Sequence, residues 1–147
     1  MPYRFGGVLP WVAMKRLLAL LFVASLTLAV VHNLAVAFFW YFIHPWVDIP
    51  MHLLGGFTTA LGLATLPFFG IYLFGSRPPM LAYLLVTSFV GVVWEGFEFF
   101  AGISIVDSYF FADTVMDLAM DVCGGALGFW VVQSLRGKVL AATLYNT

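Results

Sequence analysis

Long apolar stretches with a few short polar breaks organise this chain. From Leu17 to about Ile43 no residue carries a formal charge. A second apolar stretch runs from Ile49 to about Phe74, with Pro67 as its expected kink. A third runs from Met80 to about Ala101, and a fourth from Ala112 to about Leu135. About 20 apolar residues are enough to cross a bilayer core of roughly 30 Å as a helix. The pattern therefore predicts an all-α, four-transmembrane-helix bundle, a single integral membrane domain over residues 1–147 with no room for a separate soluble unit. Gly75-Ser76-Arg77-Pro78-Pro79 makes a short turn between the second and third spans. Gly102 to Phe111 joins the third and fourth, where Tyr109, Phe110 and Phe111 suit a membrane interface.

Composition agrees. The 147 residues are 63% hydrophobic and 9% charged, whereas a soluble domain carries about 25% charged residues. Soluble globular and disordered classes are excluded. With six basic residues and a net charge of −1, the chain lacks the clustered Lys/Arg that nucleic acid requires. Cys123 is the only cysteine, so an internal disulfide and a cysteine-built metal site are excluded. It reads as buried apolar filler.

The charges also give an orientation. Arg4, Lys15 and Arg16 precede the first span, Arg77 follows the second, and Arg136 and Lys138 follow the fourth. All six fall on one side, which the positive-inside rule makes cytoplasmic. Both termini are expected inside, in a multi-pass protein of the cell membrane. The acids are Asp48, Glu95, Glu98, Asp107, Asp113, Asp117 and Asp121, and all fall in the opposite half. Lys15-Arg16, the apolar run and Ala35-Val36-Ala37 imitate a cleavable signal peptide. Continuation of the run through Phe38 to Ile43 favours a retained span.

A short repeat lies inside this pattern. Residues 48–56 read Asp-Ile-Pro-Met-His-Leu-Leu-Gly-Gly, and residues 117–125 read Asp-Leu-Ala-Met-Asp-Val-Cys-Gly-Gly. Asp48/Asp117, Met51/Met120, Gly55/Gly124 and Gly56/Gly125 are identical, and Gly62 and Gly128 thin each helix further along. Two parallel helical hairpins related by a pseudo-twofold axis along the membrane normal are the simplest source. Small residues let helix backbones approach closely, so the second and fourth spans are expected to cross at these glycines.

The acids form a shelf near one end of the bundle. Asp48 and His52 share a helix face, as do Glu95 and Glu98, and Asp113, Asp117 and Asp121 form an i, i+4, i+8 stripe. An ionised side chain in the bilayer core costs at least ~2.5 kcal/mol, so several carboxylates at similar depth need protons or a cation. Asp48 and Asp113 stand at helix N-termini, where a carboxylate is favoured, and both are placed as supports around the site. Glu95 and Glu98 stand near a C-terminal end, where it is disfavoured. His52 with Glu98, Asp117 and Asp121 forms a candidate ligand set for a divalent metal ion: Zn, Mn or Fe with the imidazole, Mg with carboxylates alone. Glu95 is then the candidate general base. A hydrogen-bonded polar cluster that packs the helices or handles protons is the open alternative. His32 beside Asn33 reads as an interhelical hydrogen-bonder, and His44-Pro45-Trp46 as an interfacial turn with an aromatic anchor. Common hydrolase and nucleotide-binding motifs are absent.

Asp48 and His52, then Glu95 or Glu98, then Asp117, Asp121, Gly124 and Gly125 resemble the motifs of the VanZ-like group of small bacterial and archaeal membrane proteins. The likeness covers residues 45–130. It departs at Ile49, where that group commonly has lysine, and at Asp121, where it commonly has asparagine. The resemblance implies a membrane protein of the cell envelope, with founding members linked to glycopeptide resistance. Two function classes remain open. One is metal-dependent chemistry on an amphiphilic or lipid-linked envelope substrate. The other is a non-enzymatic subunit of an oligomer or larger membrane complex, or a proton- or cation-handling protein.

The orientation is testable by labelling single cysteines placed at Ser76 and Ser108 in a Cys123→Ser background. Ser76 should react only from the cytoplasmic side and Ser108 only from outside; the reverse pattern would invert the topology.

Overall fold

A computed structural model describes residues 11–101 and 110–145. Five helices account for most of them: α1 (Trp11–Ala37), the single turn α2 (Trp40–Ile43), α3 (Asp48–Thr65), α4 (Met80–Ala101) and α5 (Phe110–Tyr145). Four stretches are long and apolar enough to cross a membrane: Trp11–Ala37, Pro45–Phe69, Met80–Ala101 and Phe111–Gly137. Large apolar side chains such as Phe22, Phe42, Phe89 and Trp130 stand exposed around the bundle. Such a surface is untenable in water and suited to lipid. The chain is a multi-pass membrane protein with an all-α four-helix architecture. The connection over residues 102–109, with Asp107, Ser108 and Tyr109, lies outside the described residues, as does Arg4.

Two spans differ from the sequence expectation. The first is broken rather than continuous to Ile43. Phe39 adopts a left-handed backbone, φ 56°, which an L-residue tolerates only as a single step. It separates α1 from α2, and a 3-10 turn at Pro45–Val47 then leads the chain back into α3. The second helix stops at Thr65 instead of reaching Phe74. Pro67 lacks the amide that would continue it, a 3-10 turn follows over Leu66–Phe69, and Gly70 caps it at φ 76°. The amide of Ile71 donates to the Leu66 carbonyl at 3.1 Å, closing a glycine-type helix terminus. Pro50, in the first turn of α3, is harmless because its missing amide has no partner there in any case. Cys123 is exposed rather than buried: it points away from the α3–α5 contact that its neighbours Gly124 and Gly125 make.

α3 and α5 form the principal contact of the bundle; α1 packs on α3 and α4 on α5. α3 and α5 run parallel and cross main chain to main chain. A Cβ at Gly56 would overlap the Asp121 backbone, and one at Gly124 would overlap the Leu53 carbonyl. Lower down, Gly128 meets the Ala60 side chain. Gly125 faces Thr87 of α4, so one glycine of the pair serves each neighbour. Gly62 meets nothing within 4 Å. Below the crossing, Ala60, Leu61 and Ala64 of α3, Tyr83 of α4 and Val132 of α5 form the buried core, joined by Ala13 and Leu17 of α1. Lys15 and Arg16 begin α1, Arg77 precedes α4 and Arg136 lies late in α5, so these bases collect at the core end, opposite the acids.

Gly56→Ala and Gly124→Ala should each destabilise the protein by ~1–3 kcal/mol, since main chains must separate to admit a methyl group. Gly62→Ala, with open space beside it, should be neutral or slightly stabilising through helix propensity. Unfolding midpoints in detergent would rank the three; equal effects at all three positions would refute the crossing.

Candidate functional site

Three helices bring their polar side chains to one point above the glycine crossing. α3 supplies Asp48 and His52 from successive turns, α4 supplies Glu95, and α5 supplies Asp117 and Asp121. His52, Asp117 and Asp121 are buried, with 5%, 3% and 6% of their surfaces exposed. Asp121 is fixed from three directions. Its carboxylate rests where a Cβ on Gly91 of α4 would stand, lies 3.7 Å from where one on Gly55 would stand, and reaches the His52 ring.

The imidazole divides the cluster. Its Nδ1 lies 3.2 Å from Asp121 Oδ2. Its Nε2 lies 3.7 Å from both Asp48 Oδ1 and Glu95 Oε1. The tautomer that donates from Nδ1 to Asp121 leaves the Nε2 lone pair directed at the other acids. A carboxylate behind one ring nitrogen, with the second nitrogen free to ligate, is the arrangement metal-binding histidines use. Asp48, His52 and Asp117 each offer a ligand atom within 4.8 Å of the other two. That separation matches donors on opposite sides of one ion at ligand distances of ~2.0–2.6 Å.

Hydrogen bonds already made show which oxygens are free. Glu95 Oε2 accepts from the Thr114 hydroxyl at 2.9 Å, which ties α4 to α5 and fixes the carboxylate. Its Oε1 is buried and has no hydrogen bond. Asp117 Oδ1 is likewise buried without a partner. A buried acceptor without a donor costs about 1–3 kcal/mol, more when charged, so two at one point ask for a cation or protons. Cavity-lining and cluster residues include no Lys or Arg among the described residues.

Of the residues singled out in the sequence, His52, Asp117, Asp121 and Glu95 come together. Glu98 stands aside. Its Oε1 accepts from the Trp94 indole at 2.8 Å, and it lines the same cavity as Asp48, His52 and Asp121. Asp48, expected in a supporting place, belongs to the compact triad, while Asp121 stands behind the imidazole. Asp113 is exposed, in the first turn of α5.

The cavity has a volume of about 440 Å³; α1, α3 and α4 form most of its walls, joined by Tyr41 of α2 and Asp121 of α5. This lies within the ~300–1,000 Å³ usual for small-molecule sites. His32 and Tyr41, absent from the expected site, stand on its far wall with Nδ1 and the phenol oxygen 2.9 Å apart. The His32 bond therefore runs within its own hairpin rather than between spans. Its ring also stands edge-on to Trp94, with centroids 5.8 Å apart. The only sequence signal was a lone polar pair, His32-Asn33, inside an apolar helix.

Removing one buried carboxylate charge should relieve repulsion when nothing neutralises it. Asp117→Asn should raise the unfolding midpoint of chelator-treated protein relative to the parent, while Asp121→Asn should not, because Asp121 already holds His52. Differential scanning fluorimetry with and without EDTA measures both; a fall in the Asp117→Asn midpoint after EDTA would contradict uncompensated repulsion.

Family models, curated proteins and solved structures offer no match to this chain.

Proposed function

We propose that the protein binds a divalent cation between Asp48, His52 and Asp117 at the extracytoplasmic edge of the membrane. There it performs metal-dependent chemistry on an amphiphilic or lipid-linked envelope substrate, as a VanZ-like membrane protein. One observation carries this reading: Asp117, which has a buried oxygen without a hydrogen bond, belongs to a triad whose ligand atoms lie within 4.8 Å of one another. The crowding of bases at the other end of the bundle supports the orientation. A bound divalent ion would polarise a phosphoryl or carbonyl oxygen and lower the pKa of a bound water. Asp121 would orient His52 for that ion. Glu95, held by Thr114 and with one oxygen that makes no hydrogen bond, would take the proton.

A second reading has its own support. Three carboxylate oxygens surround His52 at ion-pair distances of 3.2–3.7 Å, so a protonated imidazole would satisfy part of the cluster without metal. The protein would then handle protons or serve as a packing subunit of a larger complex. Even so, one imidazolium balances one of the four carboxylates around it.

Elemental analysis of protein purified without chelator separates the two. Metal-dependent function requires about one equivalent of a transition metal or magnesium, restored after EDTA by adding the ion back. His52→Ala and Asp117→Ala should each lose it, and Asp113→Ala should retain it. Folded parent protein that holds no metal, and takes up none on titration with Mn²⁺ or Zn²⁺, would leave the proton-handling reading.

A further inference from the structure

The cavity beside the triad is a slot rather than a closed chamber. α1 packs on α3, and α4 packs on α5 and α3, but α1 and α4 scarcely meet. Their ring contact is His32 against Trp94. On α1 the lining falls at Ser25, Leu28, Ala29, His32 and Asn33, the i, i+3, i+4, i+7, i+8 spacing of a single helix face. On α4 it falls at Val90, Gly91, Trp94 and Glu98, again one face. Ala29 and Val90 are exposed, so neither wall is sealed by the other. Along α3 the floor extends from Met51 to Thr59, about 12 Å at 1.5 Å per residue. The slot therefore starts at the carboxylate cluster and reaches well into the hydrocarbon layer. It is mostly apolar, and its titratable groups crowd towards one end: Asp48, His52 and Asp121 on one side, the His32–Tyr41 pair and Glu98 on the other, while the hydroxyls of Ser25, Thr58 and Thr59 line the deep end.

We infer that this slot holds one hydrocarbon chain of a membrane amphiphile with an oxyanion head, entering sideways between α1 and α4. The shape fits a chain end-on to a polar head: an apolar trench in the plane of the lipid tails, closed at its polar end by charge. The head has no Lys or Arg to meet among the lining residues. Its negative charge must be met by the cation of the triad, so this part rests on the metal reading above. Near this end the Asn33 amide already donates to the Ala29 carbonyl and the Trp94 indole to Glu98, which leaves the His32–Tyr41 pair as the positioning residues for the head. The chain itself depends only on the slot. Ala29 of α1 and Val90 of α4 both line the slot and are exposed, so they flank its entrance. A tryptophan at either position would close it.

Photo-crosslinking tests this with full-length protein in phosphatidylcholine vesicles. The probe is a phosphatidic acid with a diazirine midway along one acyl chain, with Mn²⁺ present, and labelled residues are mapped by mass spectrometry. Leu28, Ala29 and Val90 should be labelled several-fold more than Val23 and Val92, which are exposed away from the slot. Unlabelled phosphatidic acid should compete at the first three only. Ala29→Trp and Val90→Trp should each abolish slot labelling while keeping the parent's melting temperature and metal content. Having one variant on each wall guards against misfolding of either. Tyr41→Phe should weaken competition by phosphatidic acid but not by an uncharged diacylglycerol. Equal labelling of slot and lipid-facing residues, or undiminished labelling in both folded tryptophan variants, would overturn the slot. Slot labelling that persists unchanged in EDTA or in His52→Ala would keep the chain site and remove the cation from head binding. Loss of metal binding and loss of the slot are thus read separately.

Discussion

The close crossing of α3 and α5 is the constraint on which the rest depends. Where two helices meet at glycine, no side chain holds them apart, and whatever is attached one turn away is brought together as well. Gly56 lies against the Asp121 main chain, Gly124 against Leu53, and Gly91 of α4 against the Asp121 carboxylate. With Gly55, which lies beside the same carboxylate, Gly56 and Gly91 clasp Asp121 from two helices. That clasp sets the position of its hydrogen bond to His52. It also sets how near Asp48 and Asp117, one turn towards the helix starts, come to each other. In lipid, helix association gains little from burial of apolar surface and much from close packing and polar contacts. Here the same few residues supply both, so packing and site cannot be altered independently.

Charge explains why the cluster needs the rest of the bundle. Isolated carboxylates in a hydrocarbon setting are costly, yet several are held within a few ångströms of one imidazole. Each is immobilised by an element that has another reason to be there: Glu95 by Thr114 across the α4–α5 contact, Asp121 by the glycine clasp, Asp48 by the first turn of α3. The protein withstands this electrostatic load because packing buries His52, Asp117 and Asp121 and hydrogen bonds hold Glu95 and Asp121 in place. Such preorganised acids are what a cation needs in order to bind without rearranging its surroundings.

Much of this was legible in the sequence. The spans announced themselves by length and the absence of charge, and Met80–Ala101 begins and ends where its apolar run does. The glycine crossing was visible because Gly-Gly recurs in matched context. Hidden features depended on local backbone or on distant partners. Nothing in Phe38-Phe39 signals a left-handed step inside an apolar run, and Pro67 gave a kink on paper where Gly70 completes a stop. Glu98 shares the shelf of acids in the sequence, but nothing there signals that Trp94, four residues earlier, engages it. Which of Asp48 and Asp121 stands on the Nε2 side of the imidazole is equally hidden, because the ring orientation is set by α5. The slot was invisible, since it arises where α1 and α4 scarcely meet.

His52 and Asp121 are equivalent positions of the repeat, sixty-nine residues apart, and they bond to each other. In a dimer of identical halves, a residue meeting its own counterpart at the symmetry axis can meet only its own kind: histidine against histidine, or aspartate against aspartate. Joining both halves in one polypeptide lifts that restriction. Base and acid can then occupy the two ends of a single contact, and the molecule has a polarised centre where a symmetric assembly would have a self-opposed one.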